Sequence, residues 1–330
     1  MSDFWRAKKV VVTGGAGFIG SHLVERLVEF GAEVRAPVRP GRNRRFLAAV
    51  LDRIEIVEGN LEEADFCRRA LDGQEILMHL AARVGGIEYN MKHPASIFRD
   101  NMQVFLNVME AARQASSLER LLVTSSACVY PRHCRIPTPE EDGFVDVPEP
   151  TNQGYGWAKR MEEFLGAAYA QEHRLRVAIA RPYNAYGPRD NFRPDSSHVI
   201  PAIIRRVWEG GNPLVVWGSG RNSRSFLYVK DFVRGLMDVT QIYPKADPVN
   251  LGADEETGIK DLAEMIVELS GKDLSVICDP TKPEGQPRRR CDVQKAVQTI
   301  GFKAEIPLRE GLKETIRWYQ NEILLGSVSS

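Results

Sequence analysis

The sequence predicts an α/β protein: a doubly wound parallel sheet covered by helices on both faces, followed by a smaller C-terminal lobe. Three observations carry that prediction. Short apolar runs alternate with segments of helical period from the start of the chain. A glycine-rich turn, Thr13 to His22 (TGGAGFIGSH), joins the first such run to the first such segment. After about Pro182 the texture changes, with proline and glycine frequent and regular signals sparse.

The elements follow in order. Lys9–Thr13 is a strand on its run of three valines, and Ser21–Phe30 is a helix on Leu23, Leu27 and Val28. Further strands are expected at Glu33–Val38, Ile54–Glu58, Ile76–Leu80, Leu121–Thr124 and Val177–Ala180. The helical patterns between them lie at Glu63–Leu71, Ala95–Gln114 and Tyr155–Glu172. Right-handed crossovers through these helices put the ligand crevice at the C-terminal ends of the strands. Helical stretches return at Val199–Trp208, Lys230–Val239, Ile259–Leu269 and Leu308–Gln320. The expected division gives residues 1–182, with about 222–248, to the large domain, and 183–221 with 249–330 to the lobe. The chain crosses back to the large domain around Phe226–Gln241, and the tail Gly326–Ser330 is expected to fray.

Composition narrows the function. Lys plus Arg and Asp plus Glu number 44 each among 330 residues, so no global field draws the chain to nucleic acid or to a membrane. No apolar run reaches the length of a membrane span, and the N-terminus lacks a signal-peptide core. Five cysteines without a Cys-x-x-Cys, and six histidines without a His-x-x-x-His, argue against a disulfide framework or a metal centre. The expectation is a soluble, cytoplasmic, metal-free protein whose anion sites are built locally from arginines and helix N-termini.

The glycine turn supplies such a site. Gly14 allows the sharp turn, Gly17 lets backbone N–H groups approach a phosphate, and Gly20 lets the helix pack on the strand. With Phe18 and Ile19 between them, these residues form the strand–turn–helix that holds a dinucleotide pyrophosphate, a Rossmann-type arrangement. An NAD-specific site places a carboxylate at the end of the second strand. Here Ala36-Pro37-Val38 is followed by Arg39, Gly41, Arg42, Arg44 and Arg45, which suit a 2′-phosphate. NADP is therefore expected, with NAD as the alternative. The competing reading is a solvated basic loop.

Tyr155 and Lys159 are one helical turn apart and share a face. A phenol ordinarily titrates near 10, and an adjacent ammonium favours its ionised form, which suits acid/base work. Ser125 and Ser126, just past a strand end, offer a hydroxyl partner. Alone, such a pair is usually a surface tyrosine and a solvated lysine. The glycine turn upstream tips the balance to chemistry.

These motifs together resemble the extended short-chain dehydrogenase/reductase family, the nucleotide-sugar epimerases, dehydratases and reductases, over nearly the full length. The resemblance implies Ser126, Tyr155 and Lys159 as the catalytic set, Ser126 being chosen over Ser125 by its distance from Tyr130-Pro131. It implies that Asn60 and Leu61 lie at the adenine, that Leu80, Ala81 and Ala82 run under the cofactor, and that Asn101 is the family's helix asparagine. Val84-Gly85-Gly86-Ile87, Ser125 to Pro131, Asp190 to Ala202, Val216 to Gly220 and Lys282-Pro283-Glu284-Gly285 are similar to the fucose synthase branch. The strand and helix over Ile54 to Leu71, and Ser126-Ala127-Cys128, are also similar to the redox-neutral mannose 3,5-epimerase branch. In those branches a cysteine and a histidine invert C3 and C5 of a 4-keto sugar, and the matching positions are Cys128 and His198. The residue types suit the task, since a C4 ketone acidifies both neighbouring C–H groups. For each residue alone, a buried thiol or an inert helix-terminal imidazole is the commoner fate.

The resemblance further implies a GDP-linked sugar, held by Val84, Gly85, Asn184, His198, Arg224 and Arg288. Arg289 and Arg290 are read as solvated ion-pair residues. It implies, last, a homodimer formed by the helices near Ala95–Gln114 and Tyr155–Glu172.

Overall fold

The computed structural model describes residues 2–194, 196–282, 287–324 and 326. Asp195, Pro283, Glu284, Gly285 and the tail after Gly326, all invoked above, lie outside the described residues.

Seven strands form the central sheet: β1 (Lys9–Thr13), β2 (Glu33–Val38), β3 (Ile54–Glu58), β4 (Ile76–His79), β5 (Arg120–Thr124), β6 (Val177–Pro182) and β7 (Pro248–Leu251). Their spatial order is β7-β6-β5-β4-β1-β2-β3, and every adjacent pair is parallel. The expected doubly wound fold is the one observed, and the six expected strands end within two residues of their predicted limits.

Side-chain alternation splits each central strand between two cores, as the pleat requires. Val10 and Val12 of β1, Ile76 and Met78 of β4, and Leu122 of β5 join one core. Two helices cover it, α1 (Phe18–Glu29) with Leu23, Val24 and Leu27, and α6 (Val229–Ile242) with Phe232, Val233 and Leu236. Val11, Leu77, Leu121 and Val123 face the opposite core. There they meet α2 (Ala64–Leu71), α3 (Pro94–Gln114) and α4 (Gln153–His173) through Phe66, Phe105 and Leu165. Both faces are covered, so near-continuous apolar strands are the stable solution.

Chain order reverses between β1 and β4, which are neighbours. That switch point opens a crevice at the strands' C-terminal ends.

The lobe has its own core. Ile200, Ile203, Ile204 and Val207 of α5 (Val199–Glu209) pack on Leu262 and Ile266 of α7 (Ile259–Ser270) and on Leu312 and Ile316 of α9 (Leu308–Leu324). A short strand Ser223–Arg224 lies between Thr257–Gly258 and Arg288–Arg289, and Arg224 is in register with Arg289.

The expected division of the chain needs one adjustment. β7 extends the sheet beside β6, and α8 (Gln294–Ile300) with Phe302 packs into the first core, so these parts of 249–330 belong to the large domain's body. The reason they read as lobe is physical. β7 is four residues long, and its third, Asn250, is buried and polar, accepting from the Tyr130 hydroxyl at 2.6 Å and donating to the Thr138 carbonyl at 3.0 Å. Among the described residues, no helix is long and apolar enough to cross a membrane, and no group of His, Cys, Asp or Glu could hold a metal ion.

Candidate active site

The glycine turn is locked against the exit of β4. Gly14 has φ +74°, and a Cβ there would lie 2.9 Å from the Ala81 nitrogen. The Thr13 hydroxyl accepts the N–H groups of Leu80 and Ala81, each at 3.2 Å. At Gly20 a Cβ would sit 2.1 Å from the Gly14 carbonyl oxygen, so the helix could not seat. No side chain caps α1, which leaves its first N–H groups directed out of the turn. A dinucleotide pyrophosphate fits this cradle: it needs bare N–H groups and no Cβ in its way. The Phe18 and Ile19 side chains turn instead onto the lobe core.

At the end of β2, Arg44 pairs with Glu58, and Arg45 with Glu322 at 3.2 Å. Arg39 and Arg42 are exposed, and neither guanidinium has a carboxylate partner among the described residues. Asn60 and Leu61 follow β3, where the Asn60 side-chain oxygen accepts the Glu62 N–H at 3.2 Å. Beyond β4, Leu80, Ala81 and Ala82 lead to Arg83, whose backbone is pinned on both sides by Asn101 of α3. The Asn101 side chain accepts from the Arg83 N–H at 2.8 Å and donates to its carbonyl at 3.0 Å. Val84 follows, 58% exposed, and Gly85 lies against Tyr89, whose ring a Cβ would meet at 2.5 Å.

The two serines after β5 have different partners. Ser125 is buried and donates to Glu163, which Arg181 holds with two hydrogen bonds of 2.8 and 2.6 Å. Ser126 is the accessible one. Its hydroxyl accepts the Cys128 N–H at 3.1 Å. Burial pushes the Tyr155 phenol well above its ordinary value, the proximity of Cys128 and Glu162 adds to this, and only Ser126 opposes it. The Cys128 carbonyl lies against Gly156, so the turn that carries Ser126 and Cys128 packs on the start of α4 beside Tyr155.

Lys159 lies 5.7 Å from the centre of the Tyr155 ring, and the Glu162 carboxylate accepts its ammonium at 2.7 Å with both side chains buried. A second Lys159 N–H goes to the Thr124 carbonyl at 3.0 Å, leaving the third for a ribose hydroxyl.

His198 immediately precedes α5, at the end of the segment that follows β6. It is solvent-accessible but crowded, and burial lowers its imidazole. Among the described residues, no hydrogen bond or ring contact joins it to Cys128 or Tyr155. Ser126 and Cys128 thus share one turn packed on the start of α4, the helix that carries Tyr155 and Lys159, and His198 stands at the start of α5.

Of the residues expected to hold substrate, Asn184 (φ +37°) donates to the Ser225 carbonyl at 2.8 Å and ties the crossover to the lobe. Arg224 is held low, to about 10, by burial and by the neighbouring Arg289 guanidinium. Arg288 is exposed and forms a two-point pair with Glu256 at 2.9 and 2.6 Å. Arg290 pairs with Asp254. Arg289 is the member of this run with no carboxylate partner among the described residues, and it reaches the Ala127 carbonyl beside Cys128 at 3.3 Å. In a run of three arginines, strand alternation was the signal that could have singled out the middle one. Sequence reasoning also passed over Glu162 and over Trp217, whose indole is 60% exposed at the end of a lobe strand.

The family model described as NAD dependent epimerase/dehydratase family matches residues 10–252. A probable GDP-L-fucose synthase 1 of Oryza sativa subsp. japonica is 35% identical over 320 residues, spanning 96% of this chain and 93% of its own. A dTDP-4-dehydro-6-deoxy-D-allose reductase of Streptomyces bikiniensis is 31% identical over 330 residues, 97% and 98% of the two chains. Among solved structures, an epimerase of Methanothermobacter thermautotrophicus superposes with a TM-score of 0.87 at 26% identity, covering 98% of this chain and 95% of that one. A GDP-L-fucose synthetase of Naegleria fowleri bound to NADP gives 0.81 at 25% identity, covering 96% and 94%.

Proposed function

The chain belongs to the NAD dependent epimerase/dehydratase family and is an NAD(P)-dependent nucleotide-sugar enzyme, and we propose that it epimerises and reduces a GDP-linked 4-keto-6-deoxyhexose. The observation that carries this reading is a thiol on the serine's own turn: the Cys128 N–H donates to Ser126 at 3.1 Å, and the Cys128 carbonyl packs against Gly156, the neighbour of Tyr155. An enzyme that inverts C4 alone has no use for it.

In this reading Cys128 and His198 remove and return protons on opposite faces at C3 and C5. The negative charge that develops on O4 is stabilised by the Ser126 and Tyr155 hydroxyls. NADPH, which the Gly14–Gly20 turn would hold, would supply the hydride for C4. The Tyr155 phenol then gives its proton to O4, and Lys159 holds the ribose. A redox-neutral route would instead need Tyr155 to act first as a base while a tightly held NAD(P) took up the C4 hydride and returned it.

NADP is preferred over NAD on the two unpaired guanidiniums, Arg39 and Arg42, and on the absence of an acid at the end of β2. Arg224 and Arg289, adjacent and without carboxylates, suit the substrate diphosphate in place of Arg288. Trp217 offers an aromatic face to the base. Exposed Phe98 and Leu106 on α3 and Phe164 on α4 support a homodimer through those helices.

The test is NADPH absorbance with GDP-4-keto-6-deoxymannose in deuterated water. Consumption of NADPH and deuterium at C3 and C5 are expected, and the absence of both rejects the proposal. Cys128→Ser is expected to lose the deuterium while retaining some direct reduction.

A further inference from the structure

His198 is held from both sides, and the two holds come from different parts of the molecule. On its C-terminal side it opens α5. The Ala202 N–H donates to its carbonyl at 2.9 Å, and Ile200, Ile203 and Ile204 sink that helix into the lobe core. On its N-terminal side lies the segment that follows β6, and this segment is fastened to α1, the helix of the glycine turn. The His22 ring nitrogen Nε2 donates to the Pro188 carbonyl at 2.9 Å. Arg189, the next residue, spreads its guanidinium over α1, one nitrogen to the Ser21 hydroxyl at 3.2 Å and the other to the Glu25 carboxylate at 2.7 Å. The two charged side chains are 19% and 22% exposed, so solvent screens them less than an open surface pair. Arg189 also holds φ +70°, a left-handed backbone that a side chain of this size rarely adopts unless its surroundings impose it.

The fastening continues toward His198. The Asn191 amide nitrogen donates to the Ser196 carbonyl at 3.1 Å and to the Ser196 hydroxyl at 3.0 Å, and the Asn191 oxygen accepts the Arg193 N–H at 3.1 Å. The Ser197 N–H donates to the Arg193 carbonyl at 3.0 Å. These bonds tie the chain just after Arg189 to the two residues just before His198. Phe192, stacked on Tyr319 with ring centres 4.5 Å apart, joins the same segment to α9.

Resting on the acid/base role given to His198 above, we propose that Arg189 is a positioning residue: with the Asn191 clip, it sets His198 in register with the cofactor helix rather than with the lobe alone. The proposed reaction acts on one sugar ring from two bodies. The hydride would come from a cofactor cradled at the start of α1, and a proton from a residue whose own helix packs in the lobe. Held by α5 only, the imidazole would follow every shift of the lobe against the sheet, and a displacement of about 1 Å can cost a positioned group on the order of 100-fold. The Arg189 anchor refers both groups to one helix.

The test follows product stereochemistry. With NADPH and GDP-4-keto-6-deoxymannose, Arg189→Met should lower the ratio of inverted to uninverted reduced sugar by about 10-fold or more, while the KM for NADPH moves by less than about 3-fold. Asn191→Ala removes an exposed side chain outside the α1 contact, should act in the same direction, and keeps the test open should Arg189→Met not fold. A merely structural role would depress inversion and reduction together or leave the ratio alone, and either result overturns the proposal. His198→Asn separates the anchor from the reading it rests on. If that variant still inverts the sugar, the acid/base role itself falls; if it does not, and the other two variants keep the parent ratio, only the anchor falls. A second readout needs neither cofactor nor substrate. With histidine labelled at Cε1 by carbon-13, His198→Asn identifies the His198 signal by NMR. That signal should shift or broaden in Arg189→Met and in Asn191→Ala, and an unchanged signal overturns the proposal.

Discussion

Replacing Asp190 by asparagine should change how stability depends on pH more than it changes stability itself. Asp190 is 8% exposed. One carboxyl oxygen accepts the Asn191 N–H at 2.7 Å, and the other is buried with no partner among the described residues. Neighbouring Arg189 gives it no charge, being bound to Glu25 at 2.7 Å and Ser21 at 3.2 Å. Burial raises the carboxyl from 3.8 to about 7, with the Asn191 N–H opposing. Between those two values the folded protein holds a proton that the unfolded chain has released, so stability falls as pH rises. The contribution is full below about 3.8 and is lost by about 7. Three units at about 1.4 kcal/mol each make roughly 4 kcal/mol, as an upper figure. Asparagine keeps the acceptor for Asn191 and cannot ionise. Its amide nitrogen enters the unpartnered position at a cost of about 1–3 kcal/mol that does not vary with pH. Urea unfolding of both proteins near pH 4 and near pH 8 isolates the difference. The variant should gain on the parent by several kcal/mol across that interval. A gap of constant size would refute the assignment of a buried, neutral Asp190.

Other expectations follow from the same geometry. Gly20→Ala places a methyl group 2.1 Å from the Gly14 oxygen, and should cost about 3 kcal/mol or more in thermal unfolding and abolish NADPH binding by titration calorimetry. Arg224→Ala and Arg289→Ala should each weaken GDP binding by about 30-fold or more, as loss of a desolvated charge-assisted contact does. Arg288→Ala, which breaks an exposed pair, should change it by less than about 3-fold. The double variant Arg39→Ser/Arg42→Ser should raise the KM for NADPH by about 10-fold or more and leave that for NADH nearly unchanged; equal losses for both would return these arginines to the solvated loop.

Most of the fold was legible because its signals are local. The valine run of β1, the glycine turn and the period of α1 are each determined by adjacent residues, and the structure places them within three residues of expectation. β7 was not legible, since Asn250 is buried on the strength of partners more than a hundred positions away. The same distinction runs through the site. Spacing put Tyr155 and Lys159 on one helical face, but spacing cannot show that Glu162, a further turn along, pairs with the lysine. Likewise Arg288 and Arg289 are interchangeable in sequence. What separates them is Glu256, which meets one and misses the other.

The choice between Ser125 and Ser126 shows how the fold presents its thiol. Ser125 is consumed by a buried web in which Glu163 and Arg181 pair, Arg181 donates to the Tyr130 hydroxyl at 3.0 Å, and Tyr130 donates to Asn250. That web joins α4, β6, β7 and the turn after β5 through groups whose loss would strand a buried charge. The short turn Ala127–Val129 is thereby seated, and its backbone is fastened at each residue. Arg289 donates to the Ala127 carbonyl at 3.3 Å, the Cys128 N–H donates to Ser126, and Arg160 donates to the Val129 carbonyl at 2.8 Å. Cys128 is thus carried on a backbone held at three successive residues, the preorganisation that the proposed role of the thiol would require. One of those fastenings comes from the lobe.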